Sequence, residues 1–236
     1  PDAFLDSLVS GLRGFIAGIP EGILPAVGIG APGLVDCDRG IIVRADDLCW
    51  KSVAVGEAVE KALGLEALLI NRNRASGLAE ARFGAGRGVH SLVYIGIGTG
   101  ISAAFINDGV LMNGSSYSAG EIGHVTVGTD GGEDCPCGKR GCLETWLSIP
   151  RLRAAVDAPG GPDGAVIDAG GERLGVALAP LVAALDLSEV VLAGPQDLLD
   201  PVLPVLRRTL AERLLADPDA PLTVRLAGSP QDLSLI

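Results

Sequence analysis

Aromatic residues are scarce in this chain, at 3% of 236 positions. A core of any size must therefore come from Ala, Val, Leu and Ile, within a hydrophobic fraction of 48%. Positive charge is also short: 18 Lys and Arg face 29 Asp and Glu, a net charge of −11. That balance leaves no basic surplus for a phosphate backbone, so any DNA contact has to lie in another segment. Lysine is nearly absent, with only Lys51, Lys61 and Lys139. No apolar stretch approaches the ~20 residues of a membrane span, and no signal-peptide pattern opens the chain. A cytoplasmic protein with no membrane partner is the expectation. There is no internal repeat, and the 34 Gly and 15 Pro are scattered, which fits many tight turns and no low-complexity segment. Histidine occurs twice and cysteine five times. An odd cysteine count in such a chain argues against a disulfide framework and for a metal site.

What is present alternates between strand and helix signals. Residues 2–18 place Phe4, Leu5, Leu8, Leu12, Phe15 and Ile16 at helical spacing. "AVGIGAPGLVD" reads as a buried strand entering a Gly/Pro turn, and "GLVDCDRGIIVRA" as a hairpin turning near Asp38-Arg39-Gly40. Residues 55–63 read as a helix, 67–71 as a strand and 73–82 as a helix. "SLVYIGIGTGISAAFINDGVLM" holds two apolar runs, with a second turn at Asn107-Asp108-Gly109. A helix over 172–184, a strand at "EVVLAG", a helix over 200–214 and a strand at "LTVRLAG" follow. This alternation is the mark of an α/β class.

Three features carry chemistry. In "GEIGHVTVGTDGGEDCPCGKRGCLE", His124, Cys135, Cys137 and Cys142 offer one imidazole and three thiolates on a glycine-rich loop. One His and three Cys satisfy a tetrahedral zinc ion completely, so the site reads as structural; the plainer alternative is a loop with buried free cysteines. Gly131, Gly132, Gly138 and Gly141 would let the thiolates converge. Second, Gly98, Thr99 and Gly100 sit in a glycine loop between two strands, which could present N–H groups to a phosphate but is common without one. Third, Asp47, Asn71, Glu121, His124 and Glu144 fall at strand ends. Such acceptors and donors suit a hydroxyl-rich ligand, although any one of them taken alone reads as a solvated surface residue.

These stretches resemble the ROK family (repressor, open reading frame, kinase). The resemblance is carried by "GIGAPGLVD", "INRNRASGLAEARFGAGRG", "GIGTGISAAFINDGVLMNGSSYSAGEIGH", "CPCGKRGCLE" and "ERLGVALAPLVAALDLSEVVLAG". It implies a two-lobed, actin-like or hexokinase-like (ribonuclease H-like) ATPase fold with a sugar in the cleft. A partial small lobe would span 1–73, and a large lobe 74–236 would carry the zinc loop at 124–142. Gly33, Asn71, Glu121, His124 and Glu144 would line the sugar site, and His124 would also hold Zn²⁺ with Cys135, Cys137 and Cys142.

Departures from the family's kinases point away from phosphoryl transfer. Kinases of the family carry their catalytic aspartate where this chain has Arg72, which cannot accept a proton, and an asparagine where it has Arg74. Gly194-Pro195 replaces two glycines, and the Gly98-Thr99-Gly100 loop, a remnant of the phosphate loop, runs on to Ser102 instead of glycine. An opening Asp-x-Gly-Gly-Thr motif and a closing Gly-Ala-Ala helix are not found, and the stretch from Trp146 to Leu174 is short. The implied function is the sugar-sensing, effector-binding and dimerisation region of a ROK transcriptional repressor, truncated at both ends, with structural zinc and no ATP. Its partners would be a sugar or sugar-phosphate effector, a second copy in a homodimer or larger oligomer, and DNA reached only through a winged helix-turn-helix segment outside this chain. Arg72 could face an anionic sugar, pair with Glu121, Glu144 or Asp47, or point to solvent. The alternative is an ATP-dependent, glucokinase-like sugar kinase.

Overall fold

The computed structural model describes residues 1–20, 22, 26–128, 132–159, 163–215 and 219–228. The chain separates into two units, Pro1–Ala75 with Asn113–Ser118, and Ser76–Met112 with the described residues from Ala119 onward.

The first unit opens with α1 (Asp2–Ile16) and continues through β1 (Ala26–Ala31), β2 (Leu34–Asp36), β3 (Ile41–Ala45), β4 (Trp50–Val53), α2 (Val55–Leu63) and β5 (Glu66–Asn71). Leu5, Leu8 and Leu12 share one face of α1 and pack on a cluster that includes Val35, Ile42, Val59 and Leu69. Strands β2, β3 and β4 form an antiparallel sheet, with the turn expected near Arg39, and β1 pairs in parallel with β5. The expected burial of the 26–31 strand is not met. Only Ala31 is buried in β1, because a two-stranded sheet covered on one face leaves Gly28 and Gly30 exposed on the other. The hairpin's third strand, β4, had no alternating pattern to announce it.

The second unit is built on a five-stranded sheet. Helix α3 (Arg72–Phe83) leads into β6 (Ser91–Ile97), β7 (Ile101–Asn107) and β8 (Val110–Leu111). After a long loop come α4 (Leu143–Trp146), α5 (Ile149–Val156), α6 (Gly164–Leu185), β9 (Glu189–Ala193), α7 (Gln196–Leu199), α8 (Val202–Arg213) and β10 (Thr223–Leu226). The order is β10-β9-β6-β7-β8, parallel across the first three and antiparallel across the rest. Leucine fills the interior, as the aromatic shortage requires: Leu143, Leu147, Leu174, Leu178, Leu192 and Leu206 are fully buried. The helix expected at 172–184 begins earlier, at Gly164, where Asp163 accepts hydrogen bonds from the backbone N–H of Ala165 and Val166. The helix expected over 200–214 is α8, preceded by the separate short α7.

Candidate metal centre and neighbouring ligand residues

The loop after β8 folds back on itself through backbone pairing. Leu143 N–H donates to Val125 O at 2.9 Å, and Val127 N–H to Gly141 O at 3.0 Å. A tight turn follows, with Cys135 N–H bonded to Lys139 O and Gly138 N–H to Cys135 O. Lys139 then anchors the turn, its Nζ donating to His124 O at 2.8 Å. Gly131 lies outside the described residues; Gly132 and Gly141 pass so close that a Cβ on Gly132 would stand 2.2 Å from Gly141 Cα.

This folding gathers His124, Cys135, Cys137 and Cys142, whose ligand atoms all lie within 4.8 Å of one another. Cys137 Sγ is 3.6 Å from Cys142 Sγ, and Cys135 Sγ is 3.7 Å from His124 Nδ1. A tetrahedral ion bound at about 2.3 Å per sulfur needs ligand–ligand edges of about 3.8 Å. The donor set therefore fits a metal ion both in chemistry and in spacing. Burial pushes the Cys135 thiol up to about 12 and raises Cys142 as well. Cys137 is exposed, and the Lys139 N–H facing it lowers its pKa.

Glu144 sits in the first turn of α4, beside Cys142. Its Oε1 accepts from Cys135 Sγ at 3.2 Å and lies 3.4 Å from His124 Nδ1. Its side chain is 16% exposed, against 38% for His124. Glu121 is half-buried just before the 3-10 turn Ile122–His124. The glycine of that Glu-x-Gly-His stretch has a plain cause: a Cβ on Gly123 would meet Ile101 O at 2.2 Å, so only glycine lets the turn lie against β7. The glycine loop joins β6 to β7, with Gly98 N–H bonded to Gly100 O at 2.8 Å, and Thr99 is exposed.

In the first unit, Asn71 ends β5 and caps α3. Its Oδ1 accepts from Arg74 N–H at 3.1 Å, and its Nδ2 donates to Gly33 O at 2.9 Å. Gly33 has φ +76°, and a Cβ there would stand 2.1 Å from Arg44 O, so this turn too requires glycine. The two arginines part company. Arg72 is exposed at the start of α3. Arg74 is 3% exposed and donates to Tyr117 O and to Asn113 Oδ1, tying the 113–118 segment to this unit. Tyr117 donates in turn to Asp38 Oδ2 at 2.8 Å. Of Asp47, only its place in the short 3-10 turn Asp46–Leu48 is described.

Sequence reasoning missed Arg74's structural task, Lys139, and a group of two buried carboxylates, Glu80 and Glu189, with the half-buried Arg225. Arg225 Nη1 lies 2.8 Å from Glu80 Oε1, and its Nε bonds Glu189 Oε1. Nothing local marks these residues, because their partners are far away in sequence.

A family model described as the ROK family matches residues 2–236. The chain belongs to the ROK family. Among curated ROK relatives, a glucokinase of Halalkalibacterium halodurans is 37% identical over 125 residues, covering 53% of this chain and 38% of that protein. A xylose repressor of Caldicellulosiruptor bescii is 36% identical over 137 residues, covering 58% of this chain and 34% of that protein. The chain thus matches about a third to two-fifths of the length of these relatives. A ROK transcriptional regulator described as a homolog of the E. coli MLC protein superposes with TM-score 0.88 at 26% identity, over 99% of this chain and 66% of that one. A ROK hexokinase from Thermus thermophilus gives TM-score 0.77 at 27% identity, over 100% of this chain and 84% of that one. The ROK fold of this chain is therefore α/β and hexokinase-like, and its relatives include both repressors and glucokinases.

Proposed function

We propose that this chain is the sugar-sensing, effector-binding and dimerisation region of a ROK transcriptional regulator. The observation that carries the reading is Arg72, exposed at the carboxyl end of β5 where an α/β fold presents ligand-binding residues. An arginine cannot take a proton from a sugar hydroxyl. The superposition on a ROK regulator at TM-score 0.88 supports the same reading.

Within the first unit, Gly33, Asn71 and Arg72 are the candidate effector-binding residues, and within the second unit, Glu121, His124 and Glu144 are. Asn71 uses one amide hydrogen on Gly33 and one lone pair on Arg74; its second hydrogen and lone pair suit a sugar hydroxyl. Arg72 selects an anionic effector, a sugar phosphate or a sugar acid, because its planar fork matches such oxyanions. His124 Nδ1, on the Cys135 side, belongs to a structural Zn²⁺, and Nε2 belongs to the sugar. The zinc, when bound, would neutralise the thiolates and hold the 124–142 loop folded. No described helix is long and apolar enough to cross a membrane, and a cytoplasmic homodimer is the expected form.

A glucokinase relative at 37% identity and the retained Gly98-Thr99-Gly100 loop favour the second reading, an ATP-dependent sugar kinase. One experiment separates the two. The full-length protein is incubated with ATP and a panel of sugars, and its operator binding is measured with and without the same sugars. Sugar-dependent DNA release without ADP formation supports the regulator. ADP formation overturns it.

A further inference from the structure

The four candidate metal ligands are carried by two unlike stretches of chain. Val127, Leu143 and Leu147, which flank His124 and Cys142 in sequence, belong to the apolar core of the second unit. Residues 136–140, which carry Cys137, are exposed throughout. Backbone bonds from Val127 N–H to Gly141 O and from Leu143 N–H to Val125 O join the segment after His124 to the segment around Cys142. That pairing ties the two segments to each other. Arg173, on α6, reaches both of them. Its Nη1 donates to Val127 O at 3.0 Å, and its guanidinium carbon lies 4.6 Å from the centroid of the Trp146 ring. A half-buried arginine stacked in this way makes a cation–π contact. The helix beneath it is firmly seated, with Leu174 and Leu178 fully buried. One turn earlier on the same face, a Cβ on Gly170 would stand 2.9 Å from Leu147 Cδ1 and 3.1 Å from Trp146 O, so α6 lies directly against the end of α4. Neither Arg173 contact uses a ligand atom of the metal group, so both serve the chain with and without an ion.

We propose that Arg173 is a positioning residue for the metal group: it holds the segments that bear His124 and Cys142 on α6 before any ion binds, so that this half of the group is preformed and the turn bearing Cys135 and Cys137 is the half that the ion closes. The proposal rests on the reading of these four residues as a metal centre. Local opening is easiest where buried apolar contacts are few. The Cys135–Lys139 turn is exposed and closed by short-range bonds, Cys135 N–H to Lys139 O and Gly138 N–H to Cys135 O. The paired segments have the core on one side and the Arg173 guanidinium on Val127 O and Trp146. An opening of these segments has to break the guanidinium contacts as well as the backbone pairing.

Amide hydrogen exchange, read residue by residue by NMR, tests this on the metal-free chain. In the parent, the Val127 and Leu143 amides are expected to be at least about tenfold better protected than those of Cys135 and Gly138. Arg173→Met keeps an apolar stem and removes the charge and the donors. It is expected to lower protection at Val127 and Leu143 by about tenfold, as for the loss of a hydrogen bond from a charged group. The β6 amides, and those of Cys135 and Gly138, are expected to keep their parental values. Glu172→Ala, on the neighbouring residue that pairs with Arg208, is expected to change none of them. Equal protection of all four amides in the parent overturns the proposal. So does unchanged protection of Val127 and Leu143 in Arg173→Met, or a uniform fall that includes β6. If Arg173→Met does not fold, Arg173→Gln takes its place under the same criteria. Added zinc is expected to raise protection more at Cys135 and Gly138 than at Val127 and Leu143, and an equal rise overturns the preformed half. A chain that takes up no zinc in competition with a chelator fails the metal reading, whereas the metal-free exchange pattern still decides what Arg173 holds.

Discussion

The metal group owes its chemistry to the unequal settings of three thiols. Cys135 and Cys142 are buried and raised, with Cys135 at about 12, whereas Cys137 is exposed and lowered by the Lys139 N–H. A metal binds thiolates, so it must displace the protons that the two buried thiols hold at neutral pH. Affinity is therefore expected to fall as pH drops, by about tenfold per unit for each proton released. Competition titrations against a chromophoric chelator from pH 8 to 6 check this; a flat profile would mean that the cysteines are not the ligands. Among the three, Cys137 should be alkylated first in the metal-free chain and protected when zinc is added, as read by peptide mass mapping. A different residue-scale prediction concerns Arg225, a cation between two carboxylates whose side chains are 0% and 5% exposed. Arg225→Met leaves both uncompensated and is expected to cost about 3–5 kcal/mol in denaturant unfolding, whereas replacing all three with apolar residues of similar volume costs far less.

At the scale of elements, the sequence announced most strands and helices because their apolar periods are local. It could not announce what ties one element to the next. Asn71 reads as a polar residue at a strand end, which is correct, yet its observed work is to cap α3 and hold the Gly33 turn. Asn71→Ala is expected to cost about 1–2 kcal/mol for the lost cap, before any effect on a ligand, and a smaller loss would mean that the cap is redundant. Arg72 and Arg74 look equivalent in "NRNR", and only the fold separates an exposed cation from one buried against Tyr117 and Asn113. The strand β1 misled because a strand paired on one edge and covered on one face reads as apolar without being buried. The gathering of His124, Cys135, Cys137 and Cys142 into a group that could hold a metal ion was legible, since one His and three Cys on a glycine-rich loop have few other uses. Gly123 was visible as part of a motif, but its reason, the approach to Ile101 O, is a contact between separate segments. Gly123→Ala is expected to cost at least about 1–3 kcal/mol, the range of overpacking, because the atom in its way is backbone. A variant as stable as the parent would show that the turn can move off β7.

For the whole molecule, two compact units and a charge of −11 set what can be measured. The acidic balance agrees with DNA contacts lying elsewhere, and this chain by itself is expected not to retain operator DNA at any salt concentration between 50 and 200 mM. The division into units bears on the metal more sharply. All four candidate ligands lie in the second unit, and none of the residues that hold the first unit's apolar cluster belongs to their loop. Because metal affinity for a folded loop is also folding free energy, removing the ion should act on one unit and spare the other. Titration with a chelator during calorimetric unfolding is expected to lower the transition that includes β6, β7 and α6, and to leave in place the transition that includes α1 and the β2–β4 sheet. Tryptophan fluorescence assigns the two, since Trp50 belongs to the first unit and Trp146 to the second; Trp146→Phe removes the second reporter. Loss of both transitions together at the same chelator concentration would mean that the units unfold as one body, and the metal would then stabilise the whole chain instead of its own loop.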